Sequence, residues 1–244
     1  MSFDVEQHVR YRIANAAVNP YPFAHFYVEN VFPADFYARL LDELPDTSGY
    51  APISETGTVS GGAYDERYVC DLEKLAAERP QGPVWPAIAS WLMRPAFSEF
   101  IVRKFQGAIA ERFGKGHKLV LSTECRLVRD FTHYAIRPHT DSGHKLVSLL
   151  FYLPPDASTR HLGTSIYLPK DPAFVSDGSE HLRPDAFLHV ARMDYVPNAL
   201  FAFVRTDFSF HGVEPIADRA VERDLMLYNI YAPKVIPPSA GAPA

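Results

Sequence analysis

An α+β fold, with helices gathered in the first half and a β-sandwich or jelly roll filling the second, is predicted by three features of this sequence. Apolar residues recur at helical spacing as far as Phe113 and alternate afterwards. Turn-forming clusters such as Pro154-Pro155-Asp156 and Val196-Pro197-Asn198 punctuate the second half. Proline (21) outnumbers glycine (13), which suits many short elements joined by rigid turns better than a helical bundle.

The 244 residues, 47% hydrophobic and 22% charged, form an ordinary globular composition, long enough to bury a core and enclose a pocket. A net charge of −5 without a basic run argues against nucleic acid as a partner. Cys70 and Cys125 are too few for a disulfide framework and are read as reduced thiols. The N-terminus lacks the apolar core of a signal peptide, and no run of about 18 apolar residues occurs. A cytoplasmic protein without a membrane partner is the expectation.

Residues 1–19 are expected to be a helical or irregular lead-in to one domain over residues 20–233. Alternation over residues 23–28 predicts a strand. Pro33 sits where a first helical turn tolerates it, and Phe36, Leu40, Leu41 and Leu44 keep helical spacing up to Pro45. Residues 46–66 are rich in Gly, Ser, Thr and acidic residues, and predict a long loop, either plain surface or a lid over a pocket. Residues 83–113 carry two helical stretches, one burying Trp85, Ile88 and Leu92, the other Phe97, Ile101, Phe105 and Ile109. The period then becomes two, predicting strands at 117–129, 145–153, 164–168, 186–192, 200–204 and 223–231. The Pro- and Ala-rich tail, residues 234–244, is expected to be disordered.

Of ten histidines, only His139 opens a His-x-Asp or His-x-Glu pattern, in Arg137-Pro138-His139-Thr140-Asp141. In an extended chain residues i and i+2 share a side, so that His139 and Asp141 meet one cation. A second imidazole from a distant strand would complete a 2-His-1-carboxylate face with open positions for O2 and an organic co-ligand. His211 suits that role, after the apolar stretch 199–204, with Gly212 behind it allowing close backbone approach. By the same alternation Arg137 faces the metal side, as a candidate for an anionic substrate group; Lys145, His144 and Arg126 are weaker candidates. His133, His161, His181 and His189 lack metal-ligand spacing and are expected to be structural.

The stretch LVRDFTHYAIRPHTDSGHKLVSLLFYL, residues 127–153, resembles the first metal-binding motif of 2-oxoglutarate- and Fe(II)-dependent dioxygenases of the prolyl-4-hydroxylase-like group. FSFHGVEPI followed by RDLMLYNIY resembles the second, and PYPFAHFYVENVFPADFYARLLDELP the opening strand and helix, so that the likeness spans residues 20–231. It implies a double-stranded β-helix (jelly-roll, cupin-like) core with N-terminal helices packed outside. It also implies Fe(II) on His139, Asp141 and His211, with 2-oxoglutarate and O2 as co-substrates. The expected reaction is hydroxylation of an unactivated C–H of a small molecule or peptidyl residue, with release of succinate and CO2. Asp141 supplies the carboxylate that related halogenases lack, which favours hydroxylation.

The resemblance further implies a basic residue pairing with the far carboxylate of 2-oxoglutarate. Arg223 and Arg219 compete; Arg223 is preferred, because a strand fixes a side chain better than a turn does, and its side would be shared by Leu225, Leu227 and Asn229. Two departures stand out. His161-Leu162-Gly163-Thr164-Ser165 lacks the Gly-Gly pair often found before the strand that crosses the site, and the only tyrosine close to Asp130 is Tyr134. Two other readings stay open: a cupin-like Zn2+ enzyme of non-oxidative type, and a non-catalytic β-sandwich interaction module.

Overall fold

The computed structural model describes residues 2–56, 64, 66–78, 82–178 and 182–237. Six helices precede most of the sheet: α1 (Ser2–Asn15), α2 (Ala34–Asp42), α3 (Leu72–Glu78), α4 (Val84–Leu92), α5 (Pro95–Lys104) and α6 (Gln106–Phe113). Three early strands, β1 (His25–Val28), β2 (Ala51–Pro52) and β3 (Arg67–Asp71), lie among them. The rest of the chain forms β4 (Lys118–Phe131), β5 (Ile136–His139), β6 (Lys145–Tyr152) and β7 (Thr164–Pro169). It continues with β8 (Phe187–Met193), β9 (Ala199–Val204), β10 (His211–Val213) and β11 (Glu222–Ile236).

The strands pair antiparallel in two sheets, ordered β1-β9-β6-β11-β4-β3-β2 and β5-β10-β7-β8. From β4 to β11 the chain changes sheet at every connection except that between β7 and β8, a topology consistent with a jelly-roll core. The large sheet is covered on both faces along β9, which is why that strand reads Ala-Leu-Phe-Ala-Phe-Val without alternation. Its outer face, with Val147, Leu149, Phe151, Met226 and Tyr228, shares a core with Trp85, Ile88, Phe97 and Phe105 of the helical segment. There Phe97 meets Tyr228 edge-on at 5.5 Å and Phe105 stacks on Phe26 at 5.4 Å. Its inner face, with Tyr152, Phe201, Phe203 and Leu225, packs toward Ile136, Ile166 and Val213 of the small sheet.

Several expectations shift in detail. Residues 2–15 are helical rather than irregular: Val5, Val9 and Ile13, one helical turn apart, enter the same core as α4 and α5. The second helical stretch breaks at Phe105 into α5 and α6. Within residues 46–66 there are short 3-10 turns, Thr47–Gly49 and Ile53–Thr56, around β2; residues 57–63 and 65 lie outside the described residues. β3 and α3 follow unanticipated. The strand expected to stop at Tyr231 continues to Ile236, where Lys234, Val235 and Ile236 pair with Val120, Leu119 and Lys118. Pro233 causes no break because it sits at a register shift between Tyr231 and Lys234. Of the expected tail, residues 238–244 lie outside the described residues. Cys70 and Cys125 form no disulfide. Among the described residues no helix is long and apolar enough to cross a membrane.

Phe97 is wholly buried between Trp91 and Tyr228. Truncating it to alanine leaves a cavity between helix and sheet, and Phe97→Ala is expected to cost about 3–5 kcal/mol. Urea unfolding followed by circular dichroism checks this; the midpoint falls while the slope holds.

Candidate metal centre

The two shortest strands of the small sheet carry both predicted histidines. β5 and β10 pair so that His139 lies directly opposite His211, with ring centroids 4.3 Å apart. Gly212 makes the pairing possible: a Cβ there would stand 2.5 Å from the Ile136 carbonyl oxygen and 3.2 Å from that of Arg137. One ligand atom each from His139, Asp141 and His211 comes within 4.8 Å of the others, a set that fits a single cation.

Each imidazole is fixed by its other nitrogen. His139 Nδ1 lies 2.9 Å from the Arg137 carbonyl and His211 Nδ1 2.9 Å from that of Ser209. A carbonyl only accepts, so both Nδ1 atoms carry the proton and both Nε2 lone pairs are left for a metal. Burial pushes the His211 pKa down, an effect that Asp141 only partly offsets, which keeps the ring neutral. Burial alone would raise the Asp141 pKa, but the Lys145 charge beside it holds it well below the usual carboxylate range.

Both oxygens of Asp141 are held: Lys145 Nζ donates to Oδ1 at 2.9 Å and Ser148 Oγ to Oδ2 at 2.7 Å. The backbone is held as well. Arg205 Nε donates to the Asp141 carbonyl at 3.0 Å, and Arg112 donates to the carbonyls of Gly143 and Lys145.

Arg137 does not join the site. The step from His211 to Val213 on β10 faces the longer step from His139 to Ile136 on β5, so β5 carries an extra residue. This bulge breaks the alternation: Ile136 and His139 both line the cavity, while Arg137 is exposed. Lys145 and Arg126 do line the cavity; His144 instead stacks on Tyr231 at 6.0 Å. His161 pairs with Asp218, His189 lies 3.1 Å from Ser165 Oγ, and His181 lies outside the described residues.

His139, Asp141 and His211 open into a cavity of about 350 Å³ that extends to Arg223. Arg219 is exposed, whereas Arg223 is fully buried on the inner face of β11. Its Nε donates to the Leu162 carbonyl at 2.7 Å and its Nη1 to Asp130 Oδ2 at 2.6 Å, while the buried Nη2 has no hydrogen-bond partner among the described residues. Asp130, equally buried, also takes a bidentate pair from Arg67 at 2.6 and 2.9 Å. Burial works against the Arg67 charge, but Asp130 raises its pKa on balance. Two guanidinium groups therefore share one carboxylate beside the cavity. One positive charge and the unpartnered Nη2 of Arg223 are left over, which is the receptor a carboxylate needs.

Arg67 and Ser148 are absent from the sequence reading. Ser148 had a signal, as the one polar residue inside an apolar run; Arg67 had none, because β3 is short and follows a loop. Tyr134, the tyrosine noted near Asp130, lies beneath the Arg67 guanidinium at 4.3 Å, its buried hydroxyl without a partner. Ile53 and Tyr64, from the expected loop, also line the cavity.

No family model matches the chain, and no curated protein is similar to it in sequence. A solved Pseudomonas putida prolyl-4-hydroxylase aligns with a TM-score of 0.50 at 17% identity, over 91% of this chain and 98% of that one. The chain shares that hydroxylase's fold. Two further solved structures align less closely. A 2OG-Fe(II) oxygenase family oxidoreductase from Burkholderia pseudomallei has a TM-score of 0.48 at 15% identity, over 85% of this chain and 84% of that one. The epimerase SnoN in complex with Fe3+, alpha ketoglutarate and nogalamycin RO has a TM-score of 0.47 at 13% identity, over 97% and 87%.

Gly212→Ala is expected to push β5 from β10 and to weaken Fe(II) binding at least tenfold while far-ultraviolet circular dichroism stays native. Anaerobic titration with a competing chelator measures it; an unchanged affinity would show that the strand contact does not set the ligand geometry.

Proposed function

We propose that this protein is an Fe(II)- and 2-oxoglutarate-dependent oxygenase, with His139, Asp141 and His211 as iron ligands and Arg223 as the clamp for the far carboxylate of 2-oxoglutarate. The supporting observation is the presence, in one cavity, of a three-residue metal face and a buried arginine whose Nη2 lacks a partner. The donor set suits iron with open positions, and the excess positive charge beside Asp130 suits a dicarboxylate. A non-oxidative Zn2+ enzyme would need only the first of these features, and an interaction module neither. The same reading favours a double-stranded β-helix core with the N-terminal helices packed outside.

When bound, iron and 2-oxoglutarate together supply O2 activation coupled to loss of CO2 and formation of succinate, and with it the oxidising power to attack a C–H bond. The protein's part is positional. The Nδ1 bonds of both histidines fix tautomer and ring plane, and Lys145 and Ser148 fix the plane of the Asp141 carboxylate. Val128, Leu150, Phe203 and Leu227 line the cavity between its polar ends and exclude water from the reacting centre. Asp130 holds the Arg223 guanidinium through Nη1, which leaves Nη2 for the ligand. The oxidised substrate is a small molecule or a peptidyl residue.

Adding 2-oxoglutarate to the anaerobic Fe(II) protein is expected to produce a visible charge-transfer band, with succinate appearing once air is admitted. His211→Ala should abolish both. Arg223→Met should raise the 2-oxoglutarate Kd by tenfold or more, since about 1.4 kcal/mol per decade is less than a charge-assisted hydrogen bond contributes. Arg67→Met should weaken it less, by leaving Asp130 to neutralise Arg223 alone. Absence of both band and succinate in the parent protein rejects the oxygenase reading; an unchanged Kd in Arg223→Met moves the clamp elsewhere.

A further inference from the structure

The inner face of β11 carries a second polar station. Arg223 and Asn229 share that face six residues apart, about 20 Å along an extended strand. Leu225 and Leu227 lie between them. Asn229 stands opposite Glu124 on β4 and opposite Ser148 on β6, the serine that holds Asp141. The station therefore begins beside the metal residues and extends away from the arginine end.

Its members are bound to one another. Tyr231 donates its hydroxyl to Glu124 Oε2 at 2.9 Å, Asn229 Nδ2 reaches the same oxygen at 3.5 Å, and Arg126 pairs with Glu124 Oε1. Burial, with the Glu124 charge added, raises the Tyr231 pKa, so the phenol stays a donor. Glu124 with Arg126, and Asp141 with Lys145, balance in charge, so this end is neutral where the Arg223 end is positive. One group is left over. Asn229 is 5% exposed and its Oδ1 has no hydrogen-bond partner among the described residues, an acceptor whose isolation is unfavourable until a donor reaches it.

On the oxygenase reading above, we propose that Glu124, Asn229 and Tyr231 form the subsite that recognises the molecule to be oxidised, and that it is a small free compound, neutral overall, presenting O–H or N–H donors. Donors satisfy Asn229 Oδ1 and the remaining lone pairs of Glu124. Overall neutrality matches a station whose ion pairs already cancel. The size follows from the cavity: about 350 Å³ is near the lower end for small-molecule sites, and the co-substrate occupies part of it. Both a free amino acid, through its ammonium, and a sugar, through its hydroxyls, have this chemistry.

Calorimetric titration under nitrogen of the protein loaded with Fe(II) and 2-oxoglutarate decides the matter. The probes are the proteinogenic L-amino acids and the common pentoses and hexoses, with poly-L-proline and indole as contrasts. Saturable binding of a member of either polar set is expected, weakened at least tenfold in both Asn229→Leu and Glu124→Gln, while the 2-oxoglutarate Kd stays unchanged in both variants. Amino acids alone would identify the ammonium as donor, and sugars alone the hydroxyls; either supports the subsite. Binding of only poly-L-proline or indole, of no probe, or with equal affinity in the variants overturns it. Failure of the parent protein to take up Fe(II) and 2-oxoglutarate overturns the oxygenase reading, and this inference with it.

Discussion

The apposition of His139 and His211 across two short antiparallel strands is the constraint on which the site rests. Strand pairing sets the separation of the backbones, Gly212 permits it, and the two Nδ1 bonds to carbonyls turn the rings so that both Nε2 atoms converge. Asp141 lies just beyond the end of β5, where no ladder holds it, and Arg205 and Arg112 fasten that segment through its carbonyls instead. A carboxylate placed by side chains in this way stays aimed without a regular strand beneath it.

The large sheet supplies the rest through its two buried faces. The outer face is spent on packing against helices, so the inner face of β4, β6 and β11 is free to carry polar groups at chosen heights. These are ordered along the cavity: cationic at Arg67 and Arg223, apolar at Leu225 and Leu227, charge-balanced and amide-bearing near His139, Asp141 and His211. Burying Arg67, Asp130 and Arg223 together costs desolvation, and the cost is only partly recovered while one guanidinium nitrogen lacks a partner. Incomplete satisfaction of this kind is destabilising in the empty protein and favourable to an anion that completes it.

Much of this was legible in the sequence where a long pattern repeated. The switch from helical to alternating spacing located the helical segment and the six longer strands, and the His-x-Asp pattern with a distant His-Gly pointed to three residues that the fold brings together. What was not legible depended on partners far away in the chain. β5 and β10, at four and three residues, are too short to show a period. The bulge that turns Arg137 outward exists only in the pairing of those two strands. Arg67 has no local signature, since its role is set by Asp130, 63 residues later. Asn229 was placed on the correct side of its strand, yet its significance lies in an oxygen that nothing in the fold satisfies.

X-ray absorption at the iron edge, on the anaerobic Fe(II) protein with 2-oxoglutarate, bears most directly on the centre. Two imidazole nitrogens and one carboxylate from the chain, with the remaining donors supplied by small molecules, is the expected coordination. Imidazole scattering should halve in His139→Ala. A fourth donor from the protein, or a spectrum unaltered by that substitution, would contradict a three-residue face with one side left open.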